Sequence, residues 1–97
     1  MEKDTHTTQV MFRFWRGEII ALFPYIIADH KGGVMSYMHV GQHGGADYNG
    51  IIKGSKPATP AQMLPLYEEL ESIGYNLEVV KRRNYDKYLT AYKEIRK

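Results

Sequence analysis

Ninety-seven residues, 43% hydrophobic and 25% charged, allow one modest globular core with little left over for a deep pocket. The chain has no cysteine, which excludes disulfides, thiol nucleophiles and thiolate metal sites, and no apolar run approaches the ~20 residues of a membrane-spanning helix. The net charge of +2 is unevenly placed: residues 76–97 carry seven basic against three acidic side chains, net +4, which leaves the rest at −2.

Residues 1–8 read as a flexible polar lead without the apolar core of a signal peptide, so a cytoplasmic setting, in a bacterial or phage-infected cell, is the expectation. In Val10–Trp15 (VMFRFW), Val10, Phe12 and Phe14 alternate with Met11, Arg13 and Trp15, the period of a strand. Arg16 and Gly17 signal a turn, and Glu18–Phe23 (EIIALF) reads as the return strand of a hairpin, ending at Pro24. After a turn at Asp29–Gly33 (DHKGG), a third strand is expected over Val34–Val40. It places Val34, Ser36, Met38 and Val40 on one face and Met35, Tyr37 and His39 on the other.

The stretch 39–50 (HVGQHGGADYNG) packs two histidines, an aspartate, two amides and four glycines into twelve positions, and reads as a glycine-rich loop. Ile51 and Ile52 form a short strand or a staple after it. Thr59, Pro60 and Gln62 spell a helix start with a capping box. Met63, Leu66, Tyr67, Leu70 and Ile73 then make its apolar stripe, Pro65 is expected to kink it, and Gly74 ends it. A last strand is expected over Tyr75–Lys81. A C-terminal helical extension, 84–97, follows with Tyr85, Tyr88, Leu89, Tyr92 and Ile95 at helical spacing. The fold expected is therefore α+β in a single domain, 1–97. An antiparallel sheet of four or five strands carries one helix packed on a face and a C-terminal amphipathic helix.

Two surfaces carry chemistry. In the glycine stretch, His39, Gln42, His43, Gly44, Gly45, Asp47 and Tyr48 are the candidate ligand-binding residues. Loop amides can ring an anion in a nest, side-chain donors can add to it, and Tyr37 or Tyr48 can stack on a base. Arg13, Lys53 or the 81–83 cluster are candidate counter-charges. In the basic, tyrosine-rich C-terminus, Lys81, Arg82, Arg83, Tyr85, Tyr88 and Tyr92 are the candidate partner-binding residues. His39, His43 and Asp47 are also the alternative: a histidine- or metal-dependent enzyme acting on a phosphate ester. The His-x₃-His spacing suits zinc best on a helix, where i and i+4 share a face, and the glycines argue against one. No catalytic residue, metal or cofactor is assigned, and no G-x-S-x-G elbow accompanies the His43–Gly45 amides.

Val10–Phe14, Glu18–Pro24, Met35–Gly44 (MSYMHVGQHG) and Lys56–Pro60 through Glu69–Tyr75 together resemble a family of small uncharacterised proteins from phages and mobile elements of gut bacteria. The resemblance covers residues 10–82, and Ser36–Gly44 is its most specific part. It implies a stoichiometric binder rather than a catalyst. The expected partners are a host or defence-system protein or nucleoprotein, or a small nucleotide signal, with no membrane, and a homo-oligomer is compatible with the sequence.

Overall fold

Alternating apolar residues at the start of the chain form β1 (Thr8–Trp15), and the turn at Arg16 and Gly17 returns it as β2 (Glu18–Ile27). Both turn residues hold positive φ, +53° at Arg16 and +81° at Gly17. This is the mirror-image turn whose twist matches the strands it joins. The structure, a computed structural model, describes residues 7–29, 33–38 and 42–95, with Gln42, His43 and Ile95 described for their backbone only.

Pro24 does not end the second strand. β2 runs on to Ile27 through a register shift between Phe23 and Ile27 against its neighbour. A strand tolerates proline at such an irregularity, where no regular ladder bond is demanded of the missing N–H. Asp29 closes the next connection by accepting from the Gly33 amide at 3.0 Å, while the Ala28 amide donates to the Gly33 carbonyl at 2.7 Å. Strand β3 follows (Val34–Met38), with the faces expected for Val34, Ser36 and Met38 against Met35 and Tyr37; Val40 lies outside the described residues.

The glycine stretch is not a loop. Gln42–Ala46 is a strand, β4, pairing antiparallel with β3 from Met38↔Gln42 to Val34↔Ala46. Asp47 then stands at the N-cap position of a short helix, α1 (Tyr48–Lys53), which replaces the strand or staple expected at Ile51 and Ile52. Ile51 explains the helix: it is buried in the core, and Arg13 reaches across to donate to the Ile52 carbonyl at 3.2 Å. Arg13 also holds Ser55 Oγ at 2.8 Å and the Ser55 carbonyl at 3.0 Å. The guanidinium proposed as counter-charge is therefore spent on the end of α1 and the start of the next strand.

That strand, β5 (Ser55–Pro57), leads into α2 (Pro60–Ile73). The capping box is complete, with the Gln62 amide donating to Thr59 Oγ1 at 3.1 Å and the Thr59 amide to Gln62 Oε1 at 2.9 Å. Pro65 lies on the exposed side and the helix continues through it. Leu66 and Leu70 are buried, but Ile73 at the end of the expected stripe is 51% exposed. Gly74, at φ +125°, reverses the chain into β6 (Leu77–Val79). Asn84 then caps α3 (Tyr85–Ile95) by accepting from the Lys87 amide at 3.1 Å.

The sheet order is β4-β3-β2-β1-β5, and β6 also pairs with β1. All neighbours are antiparallel except β6, which runs parallel to Thr8–Val10, while β5 pairs with Arg13–Trp15. Two short strands thus lie end to end along one edge of β1. The fold is α+β as expected, with six strands and three helices among the described residues. One face buries Val10, Phe12, Phe23 and Tyr37 under Leu66 and Leu70 of α2. The buried Tyr37 hydroxyl donates to the Glu69 carboxylate, tying sheet to helix. The other face buries Met11, Ile20, Leu22 and Val34 under Ile51 of α1, with Tyr88 of α3 packed alongside.

Candidate ligand-binding site

β4 carries Gly44 and Gly45 to the sheet edge, and Asp47 and Tyr48 follow where the chain turns into α1. The Asp47 side chain makes no capping bond. Its carboxylate lies against Gly50, where an added Cβ would come within 2.5 Å of Oδ2. Glycine inside a helix costs up to about 1 kcal/mol relative to alanine, and here its bareness gives that carboxylate its position.

From the other end of the chain, Arg83 reaches the same place. Its guanidinium carbon lies 3.8 Å from the Tyr48 ring centroid and 3.9 Å from that of Tyr88, with Tyr85 at 5.9 Å. Two tyrosine rings thus cover the flat cation, an arrangement that arginine's planar group favours over lysine's point charge. Behind it, Tyr88 stacks on Tyr92 with centroids 6.2 Å apart and planes 5° from parallel. Arg83 makes no hydrogen bond or ion pair with the described residues, so its in-plane N–H donors are unspent. The cleft around it, of about 440 Å³, is lined by Asp29, Gly45, Asp47, Tyr48, Tyr85 and Tyr88 among others.

Gly45, Asp47 and Tyr48 of the predicted ligand group and Arg83, Tyr85 and Tyr88 of the predicted partner group therefore line one cleft. Tyr92 supports it through Tyr88. Lys81 does not join it, lining instead an apolar groove with Met63 and Val79, and Arg82 is exposed beside the cluster. His39 lies outside the described residues. Gln42 and His43 pair with Met38 and Tyr37 through β4 backbone, and their side chains lie outside the description. The loop nest expected from the glycines is replaced by strand pairing of Gly44 and Gly45 with Ser36 and Met35. Among the described residues no three His, Asp or Glu side chains gather as a metal site would require.

A second cleft, of about 530 Å³, shares Gly45, Ala46 and Asp47 but is walled by Trp15 and Arg16. Sequence reasoning took Arg16 only as a turn residue. Its signal was the identity itself, since the first position of such a turn favours asparagine, aspartate or glycine. The Arg16 guanidinium lies 4.7 Å from the Trp15 ring centroid. Gly44, on the floor, faces open space: a Cβ there would meet nothing within 4 Å. Ser36 beneath it is buried and satisfied, its hydroxyl donating to the Gly44 carbonyl at 2.9 Å.

Comparison with protein-family models, with curated proteins and with solved structures returns no match. No helix among the described residues is long and apolar enough to cross a membrane.

Proposed function

We propose that the chain is a non-enzymatic binding protein of the phage-accessory kind, engaging an anionic group of a host or defence-system component at the Arg83 cleft. The observation that carries this reading is the Tyr48–Arg83–Tyr88 stack. An arginine keeps its proton at any physiological pH, so a guanidinium held between two rings is equipped to recognise carboxylate or phosphate rather than to shuttle protons. The stacking fixes the fork before a ligand arrives, which lowers the ordering cost of binding. Exposed Arg82 and Lys81 add positive field at the margin, which favours fast encounter with an acidic surface.

Native mass spectrometry of freshly purified protein tests the reading, together with affinity capture from host lysate at low and high salt. The expected result is one retained ligand or one stoichiometric partner on the wild type, absent from Arg83→Ala and weakened by salt. The reading is overturned if the wild type and Arg83→Ala retain the same species, or if neither retains any.

A further inference from the structure

The outer edge of β4 is open: among the described residues β4 pairs with β3 alone, and Gly45 within it is exposed. The direction of its hydrogen-bonding groups follows from the ladder. Gly44 lies opposite Ser36 and turns its carbonyl inward, accepting from Ser36 Oγ at 2.9 Å. Across the sheet, the Ala58 amide donates to the Phe12 carbonyl at 3.0 Å, which sets the alternation through Ala21, Tyr37 and Ser36 in the same phase. Successive residues of a strand point these groups to opposite sides, so the N–H and C=O of His43 and Gly45 face outward. No proline, lysine or bulge in Gln42–Ala46 guards them.

Beside that edge lies the cleft of about 530 Å³, on the face that Gly44 shares with Ile20, Ser36 and Met38. Its floor, from Ile20, Met38 and Ile51, is apolar. Glycine is a poor strand residue, and nothing near Gly44 demands it, since a Cβ there would meet no atom within 4 Å. Its bareness leaves a passage from the edge into the cleft. A residue paired with Gly44 from outside falls in the close class of antiparallel pair, with Cα atoms about 4.5 Å apart. A large side chain there lies over the glycine and reaches the apolar floor, as aromatic residues cover glycines on a neighbouring strand. The β4 strand of a second copy has no such residue to offer, its sequence being QHGGA. We infer that β4 takes up an extended segment of a partner protein as a further antiparallel strand, with a large apolar side chain opposite Gly44 seated in the cleft. His43 and Gly45 each exchange two backbone hydrogen bonds with the residues flanking that side chain. The backbone bonds supply affinity and the cleft supplies selectivity. This surface is separate from the Arg83 fork, and neither reading requires the other.

The probes are capped peptides, acetyl-KTTXTTK-amide with X phenylalanine, leucine or alanine, titrated into the full chain by calorimetry and amide NMR. The phenylalanine and leucine peptides are expected to bind roughly tenfold or more tighter than the alanine peptide, from the apolar area they bury. Bound peptide is expected to slow hydrogen exchange at the His43 and Gly45 amides. The Gly44 amide, which already faces β3, is expected to stay unchanged. N-methylation of both residues flanking X removes the donors that face β4 and is expected to abolish binding. N-methylation of X itself, whose N–H points away, is expected to leave binding intact. Gly44→Leu closes the passage and is expected to remove the preference for phenylalanine over alanine. The inference is overturned if no peptide of the set binds, if alanine binds as well as phenylalanine, or if the flanking N-methyl groups are tolerated. It is also overturned if the wild-type chain sediments as a dimer whose His43 and Gly45 amides are already protected, since the edge then belongs to a second copy. Should Gly44→Leu fail to fold, the N-methylated pair of peptides on the wild-type chain decides.

Discussion

Arg16 occupies a turn position at which its side chain brings a backbone penalty of about 1–2 kcal/mol. The stack on Trp15, an exposed cation–π contact, returns about 0.5–1 kcal/mol of that. Arg16→Asn is therefore expected to raise stability by up to about 1 kcal/mol in urea unfolding, an unusual outcome for removing a contact. Arg83 is the contrasting case, since two tyrosine rings lie 3.8 and 3.9 Å from its guanidinium carbon. Arg83→Ala is expected to cost about 1–2 kcal/mol, and Arg83→Lys to recover less than half of that, because an ammonium cannot stack between two rings. Thermal melts of the two variants side by side measure the difference. Both arginines were visible in the sequence as charges. Their ring partners were visible only in part: Trp15 adjoins Arg16, whereas Tyr48 lies far from Arg83 along the chain and meets it through tertiary packing alone.

At the scale of elements, legibility followed the carrier of the signal. β1 and β3 announce themselves because side-chain polarity alternates along them, and α2 because Thr59, Pro60 and Gln62 perform separate, recognisable tasks at its start. β4 is silent. Gln42–Ala46 has glycines at its third and fourth positions and no alternation to read, so only its pairing with Val34–Met38 makes it a strand. α1 is equally opaque, because its stability comes from Ile51 and from Arg13 rather than from its own sequence. Two substitutions test these assignments by urea denaturation. Thr59→Ala removes the cap and is expected to cost about 1 kcal/mol. Gly50→Ala improves helix propensity by up to about 1 kcal/mol and displaces only the end of the exposed Asp47 side chain, so it is expected to raise stability.

For the molecule as a whole, the C-terminal helix is part of the packing rather than an appendage. Tyr88 joins the core cluster of Leu22 and Val34, the Tyr25 hydroxyl accepts from the Asn84 amide at 2.6 Å, and Lys87 lies 4.6 Å from the Tyr25 ring centroid. Removal of residues 84–97 is accordingly expected to lower stability sharply, by several kcal/mol as burial and hydrogen bonds are lost together. Circular dichroism melts of the truncated chain check this. Point variants at Arg82, Arg83 and Tyr85 are thus the better probes of recognition by this end of the protein. The sequence also left the partner of β6 unread, because a parallel pairing between Thr8–Val10 and Leu77–Val79 has no local signature.

That pairing has a consequence for the order of events during synthesis. β1 leaves the ribosome first, yet its neighbours come from residues 18–22, 55–57 and 77–79 in turn. The meander of β1 to β4 can assemble as it emerges, but the edge of β1 stays half-open until residues 77–79 are free to pair with it. An open edge on a nascent sheet invites pairing with the wrong chain. Completion of this sheet therefore waits on Leu77–Val79, and a pause before Leu77 would prolong the exposure of β1.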